Sequence, residues 1–189
     1  MHPTRLFLCA LLAACTPRTE DTGGVDTGGV DTGTDHGALA DGWWDALTDT
    51  GGCSDAIFYA RNPDGSLVLT VEVPGLASDA WDAGGPSGLS GTLPDPGITV
   101  SLARGTALRA PCDDVADPAT AVADTWEAAS GTITAEATPE AGDTGAAAKG
   151  AYPAQGYLRL EDVDFASDTA PDTTLPVLEI SAFIGWLPG

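Results

Sequence analysis

From Ser54 to the end of the chain, apolar residues keep recurring at every second position. Leu67, Leu69, Val71 and Val73 alternate with Val68, Thr70 and Glu72, which is the period of a strand with one buried face. The same alternation returns in Ile98-Thr99-Val100-Ser101-Leu102, in Thr132-Ile133-Thr134-Ala135-Glu136-Ala137 and in Tyr157-Leu158-Arg159-Leu160-Glu161. It returns a last time over Val177 to Ile184, where Leu178, Ile180, Ala182 and Ile184 share one side. Pro74-Gly75, Gly84-Gly85-Pro86, Pro94-Asp95-Pro96-Gly97 and Ala170-Pro171-Asp172 punctuate these runs. Ala56-Ile57-Phe58-Tyr59-Ala60 leads into Arg61-Asn62-Pro63-Asp64-Gly65. There Pro suits the first central position of a type I turn and Gly the left-handed site after it, so a hairpin with 67–73 is expected. The whole pattern predicts an all-β fold, an antiparallel β-sandwich or barrel of about 6–9 short strands. Helix is scarce. Asp117-Pro118 has the form of a helix start that would place Val122 and Trp126 on one face, although Trp126 equally suits a strand running through Gly131. Asp41 is placed to cap a turn carrying Trp44 and Leu47.

The first residues carry an address. Arg5 precedes a short apolar run, Leu6 to Leu12, and small residues follow; this is the layout of a secretory signal. The run is too short to span a bilayer, which takes about 20 apolar residues. Leu12-Ala13-Ala14-Cys15 resembles the lipobox of bacterial lipoproteins, a resemblance confined to about the first fifteen residues. It implies removal of residues 1–14, a diacylglycerol thioether on Cys15 and acylation of the new amino group. Two or more chains hold a protein stably on a membrane where one does not. Thr16 after the cysteine, rather than Asp, implies export to the outer membrane in a bacterium that has one.

Residues 15–37 form the expected tether. Asp21-Thr22-Gly23-Gly24-Val25, Asp26-Thr27-Gly28-Gly29-Val30 and Asp31-Thr32-Gly33-Thr34-Asp35 repeat every five residues, too polar and glycine-rich to bury a face. About 22 such residues reach roughly 25–28 Å, with the threonines as candidate glycosylation sites. Aspartates five apart on glycine are poorly organised for calcium, whose loops converge oxygen ligands at shorter spacing. Calcium-dependent adhesion is therefore a lesser alternative. The Asp-Thr-Gly triplets at Asp21, Asp26, Asp31, Asp49 and Asp143 match the aspartic-protease signature. They lack the apolar lead-in that holds two such carboxylates together, so they read as chance matches in an Asp-, Thr- and Gly-rich chain.

Four cysteines then sort themselves. Cys9 leaves with the signal and Cys15 takes lipid, so Cys53 and Cys112 remain as a pair in an exported domain. That pairing argues for one disulfide; two thiols with no neighbouring histidine make a poor zinc site. The folded domain, residues 38–189, is long enough to bury roughly two thirds of its surface in a single core.

Charge narrows the partners. The chain has 28 acidic and 7 basic residues, a net charge of −21. Such a surface repels nucleic acid and anionic lipid headgroups, whose binding relies on Lys and Arg. No cofactor is implied. Gly85-Pro86-Ser87-Gly88-Leu89 lacks the closing glycine of a nucleophile elbow, and His36, the one histidine beyond the signal, lies in the tether. No catalytic residue is assigned. Asp113-Asp114 and Glu161-Asp162 would serve a hydrolase of envelope polymers only if the fold brought carboxyls to a working separation. Of the five tryptophans, Trp81, beside a Gly/Pro loop, is the candidate exposed aromatic for stacking on a glycan or an envelope protein. The expected protein is a lipid-anchored envelope component whose β domain binds or supports something without catalysis.

Overall fold

The computed structural model describes residues 37–113, 119–140 and 151–185. After a short 3-10 turn, Trp43–Ala46, the elements run β1 (Asp49–Cys53), β2 (Ile57–Arg61), β3 (Leu67–Glu72), α1 (Leu76–Ala83), β4 (Ser87–Thr92), β5 (Thr99–Thr106), β6 (Ala121–Pro139), β7 (Ala154–Ala166) and β8 (Thr173–Ile184). All pairings are antiparallel. The sheet order is β1-β2-β3-β5-β6-β7-β8, with β4 also on β6. The expected all-β architecture is present as one curled sheet that nearly closes into a barrel. At the seam the Gly185 N–H donates to the Ser54 carbonyl at 2.5 Å. There the bare backbone of Gly52 faces Ile184, whose methyl lies 2.7 Å from where a Cβ would stand.

The hairpin is built as its residues dictate. Gly65 takes a φ of 68°, the Asn62 Oδ1 accepts the Leu67 N–H at 2.9 Å, and the Asp64 Oδ1 accepts the Ser66 N–H at 2.9 Å. β3 then buries Leu67, Leu69 and Val71.

The strands of the second half are long rather than short, at 19, 13 and 12 residues. They stay buried on one side by changing parity at a common level. In β6 the inward residues are Asp124 and Trp126 before Gly131, then Ile133, Ala135 and Ala137 after it. In β7 they are Leu158 and Leu160, then Val163 and Phe165 beyond Asp162. Gly131 has φ 130° and Asp162 φ 51°, and the β6–β7 register shifts on either side of Ser130. These are β-bulges, which bend a strand and reset its faces. Gly131 is obligatory there, because a Cβ would come within 2.8 Å of the Val163 Cα.

β6 shows that no helix opens toward Trp126. Residues 114–118 lie outside the described residues, but from Ala121 onward the chain is strand. The alternation wins because it turns Asp124 and Trp126 inward together, while Val122 is 57% exposed. The turn near Asp41 exists without its cap: Gly42, in the left-handed region, occupies that position with no side-chain bond. Trp43 and Leu47, rather than Trp44 and Leu47, face the core.

The helix that does form, α1, buries Leu76, Ala77 and Ala80. It ends in a Schellman pair at Gly84, with Gly85 N–H to Ala80 O (3.1 Å) and Gly84 N–H to Trp81 O (3.0 Å). Its start is capped from a distance, by Asp55 in the turn between β1 and β2. The Asp55 Oδ1 accepts the Ala77 and Ser78 N–H groups at 2.9 and 3.0 Å. Cys53 and Cys112 are disulfide-bonded, Cα–Cα 5.8 Å, and tie β1 to the segment after β5.

Candidate functional site

The loop from Ala166 to Asp172, between β7 and β8, is ordered by its own side chains. The Ser167 Oγ accepts the Thr169 and Ala170 N–H groups at 3.2 and 3.3 Å, which fixes the serine as a turn former. Three further bonds fasten the loop region to the barrel. The Trp126 indole N–H donates to the Pro171 carbonyl (2.9 Å), the Trp43 indole N–H to the Thr173 hydroxyl (2.9 Å) and the Thr169 hydroxyl to Asp124 Oδ1 (3.2 Å).

Asp124 is the one buried charged residue among those described, 2% exposed. Arg104 answers it from β5, with Nε 2.9 Å and Nη2 2.5 Å from Oδ2. The guanidinium also donates from Nη1 to the Gly37 carbonyl at 2.8 Å and lies over the Trp126 ring, 5.4 Å from its centroid. A desolvated carboxylate is tolerable only when paired and fully hydrogen-bonded, and this one is.

Over this foundation lies a cleft of about 420 Å³ lined by Thr125, Glu127, Ala166, Ser167, Asp168 and Thr169. Partial burial pushes the Glu127 carboxyl above the usual glutamate value. A hollow of about 300 Å³ adjoins it, with Asp164, Asp172, Thr173 and Thr174 on its wall. Hydroxyls and carboxylates in a shallow cleft can hold polyol hydroxyls or a cationic group by hydrogen bonds and charge. Asp164, Asp168 and Asp172 are solvated, at the edges of strand and loop.

The residues singled out in the sequence are scattered. Cys15 and the Asp-Thr-Gly repeats at Asp21, Asp26 and Asp31 lie outside the described residues, as do Asp143 and Trp186. Trp81 sits on α1, half-buried, with its indole N–H donating to the Pro153 carbonyl at 2.8 Å. Trp43 and Trp126 are core residues, and Trp44 packs edge-on against Trp43 at 5.9 Å. Asp49 is 2.5 Å from Arg61 Nε. Asp113 is exposed and Asp114 lies outside the described residues. Glu161 is bound to Arg159 at 2.7 Å, which holds its carboxyl below the usual glutamate range, while Asp162 makes the bulge. Among the described residues no three His, Cys, Asp or Glu side chains are grouped to hold a metal, and no helix is long and apolar enough to cross a membrane. The cleft itself was missed. Its local signal was the Ser167-Asp168-Thr169 run before Ala170-Pro171-Asp172, which identifies a loop but not the Thr125 and Glu127 that face it.

No protein-family model, curated protein or solved structure matches the chain.

Proposed function

We propose that this protein is a bacterial envelope lipoprotein, fastened to a membrane by lipid on Cys15 and presenting a non-catalytic β domain that binds or supports an envelope partner. The observation that carries the reading is the run Leu12-Ala13-Ala14-Cys15 behind a short apolar segment. The Cys53–Cys112 bridge supports it, because disulfides persist in compartments outside the cytosol. Thr16 favours the outer membrane. Residues 15–37 serve as the spacer, and the acidic, hydroxyl-lined cleft beside Ser167 is the surface this reading offers to a neutral or cationic envelope glycan.

The test is metabolic labelling with radioactive palmitate together with intact mass. The wild-type protein is expected to take label, to fractionate with membranes, and to weigh as the chain from Cys15 plus its acyl groups. Cys15→Ser is expected to take none. Equal fractionation and equal mass behaviour of the two proteins overturns the anchor.

A further inference from the structure

Among the described residues, β4 is paired on one side only, with β6. The Leu93 N–H bonds to the Gly131 carbonyl at 2.9 Å, in continuation of the β4–β6 register, where Thr92 faces Thr132, Ser90 faces Thr134 and Gly88 faces Glu136. In an antiparallel ladder alternate residues exchange both bonds with the partner. Leu93 therefore fixes Ser87, Leu89 and Gly91 as the residues bonded to β6. The N–H and C=O of Gly88, Ser90 and Thr92 point the other way. No hydrogen bond from the described residues reaches them, and all three residues are exposed.

Natural sheets guard such edges with charge, proline or a covering element. Here the strand is Ser-Gly-Leu-Ser-Gly-Thr, and the eleven residues 84–94 carry no charge in a chain with 28 acids. Beside the edge lies a hollow of about 310 Å³ lined by Gly88, Leu89, Ser90, Thr134 and Glu136. Gly88 is what lets the glutamate lie there: a Cβ on it would stand 3.1 Å from Glu136 Cγ. The Glu136 stem thus rests on bare backbone beside the open edge. A Cβ at Gly91 would meet nothing within 4 Å, leaving room for an incoming side chain.

We propose that the outer edge of β4 receives an extended peptide segment of a partner protein as an added antiparallel strand, with a lysine or arginine of that segment crossing Gly88 to Glu136. Main-chain bonds to Gly88, Ser90 and Thr92 supply the attachment, and the carboxylate supplies the preference. The net charge of −21 favours a cationic segment over a second copy of the same acidic chain. The inference rests on reading the domain as a binding module and is independent of the lipid anchor.

The test uses the full-length protein and a blocked heptapeptide of alternating threonine and valine with a central lysine. Hydrogen exchange should show the Gly88, Ser90 and Thr92 amides open in the protein alone, and slowed at least about tenfold by the peptide. Ser90→Pro removes an outward N–H that β6 does not use, and should weaken binding at least about tenfold. The peptide N-methylated at alternate amides should fail against the unaltered protein, which keeps the test valid if Ser90→Pro does not fold. Glu136→Gln should weaken the lysine peptide several-fold and leave a glutamine-centred peptide unchanged. Equal binding of the N-methylated peptide, or no slowing of the three amides at any peptide concentration, overturns the proposal. Amide protection in the protein alone that rises with its concentration assigns the edge to a second copy and also overturns it. None of these results touches palmitate labelling of Cys15, so loss of this inference and loss of the anchor are told apart.

Discussion

The Asp55 carboxylate grips Ser78 twice: Oδ1 accepts its backbone N–H at 3.0 Å and Oδ2 accepts its hydroxyl at 2.8 Å. With the Ala77 and Gly75 N–H groups also on this carboxylate, a residue 23 positions before Ser78 does the work of a local N-cap. Asp55→Ala should cost about 1–2 kcal/mol, the upper range for losing a cap, read from urea unfolding. Ser78→Ala, which removes one of these bonds, should cost less. Equal stability of wild type and Asp55→Ala would show that α1 does not depend on the cap.

Gly131→Ala should be more damaging. It combines φ 130° with a 2.8 Å approach of the new methyl to Val163, and strained backbone alone costs about 1–3 kcal/mol. At about 2–4 °C per kcal/mol for a domain of this size, a melting temperature lowered by roughly 2–12 °C is expected. Gly84→Ala, where a Cβ meets nothing within 4 Å, carries only the left-handed φ penalty and should lose less.

Asp124→Asn tests the foundation of the loop between β7 and β8. Removing one partner of a buried ion pair costs about 3–5 kcal/mol, and Arg104 is left facing a neutral amide. Exchange of amides in 167–172 should quicken along with the loss of global stability, because Thr169 is bonded to the same carboxylate. Unchanged exchange in that loop would show that Asp124 holds only Arg104.

Two glutamates should separate on acid titration. Glu161 lies below the ordinary glutamate value because Arg159 hydrogen-bonds and attracts its charged form. Its depressed folded value means a contribution present at neutral pH that fades as pH falls through that value. Glu127 lies above the ordinary value because burial disfavours its charge, so the fold loses stability as pH rises through its raised titration. Carboxyl-carbon NMR should find Glu127 protonating at higher pH than Glu161. Glu127→Gln should be more stable than wild type at neutral pH and not at strongly acid pH.

The double substitution Cys53→Ser with Cys112→Ser opens a loop of 59 residues' separation. The chain-entropy expectation is a loss of about 4 kcal/mol, measurable by denaturant unfolding against the oxidised protein. Reductant should reproduce it in the wild type and do nothing to the variant.

What could be read from the chain was what residues decide among close neighbours. The Asn62–Ser66 turn, the β3 alternation and the inward set Leu178, Ile180, Ala182 and Ile184 are local patterns, and the disulfide followed from elimination among four cysteines. What depended on distant partners was hidden. β1, Asp-Thr-Gly-Gly-Cys, has Thr50 as its one β-branched residue, and the Tyr59 ring of β2 covers the bare backbone of Gly51. α1 looked like punctuation because Pro74-Gly75 and Gly84-Gly85 bracket it, and its cap lies in an earlier turn. The full length of β6 was masked because Gly131 reverses its parity, breaking one continuous strand into two short patterns. The cleft fared worst, since Thr125 and Glu127 meet Asp168 only across a sheet register.

The bridge between Cys53 and Cys112 encloses the exposed turns at Pro63-Asp64 and Asp95-Pro96-Gly97 within one covalent ring. A protease that clips either turn severs the backbone without separating the pieces. Both fragments stay joined and stay laced into the sheet, so a nicked molecule keeps its surface in service and betrays the cut only on a reducing gel.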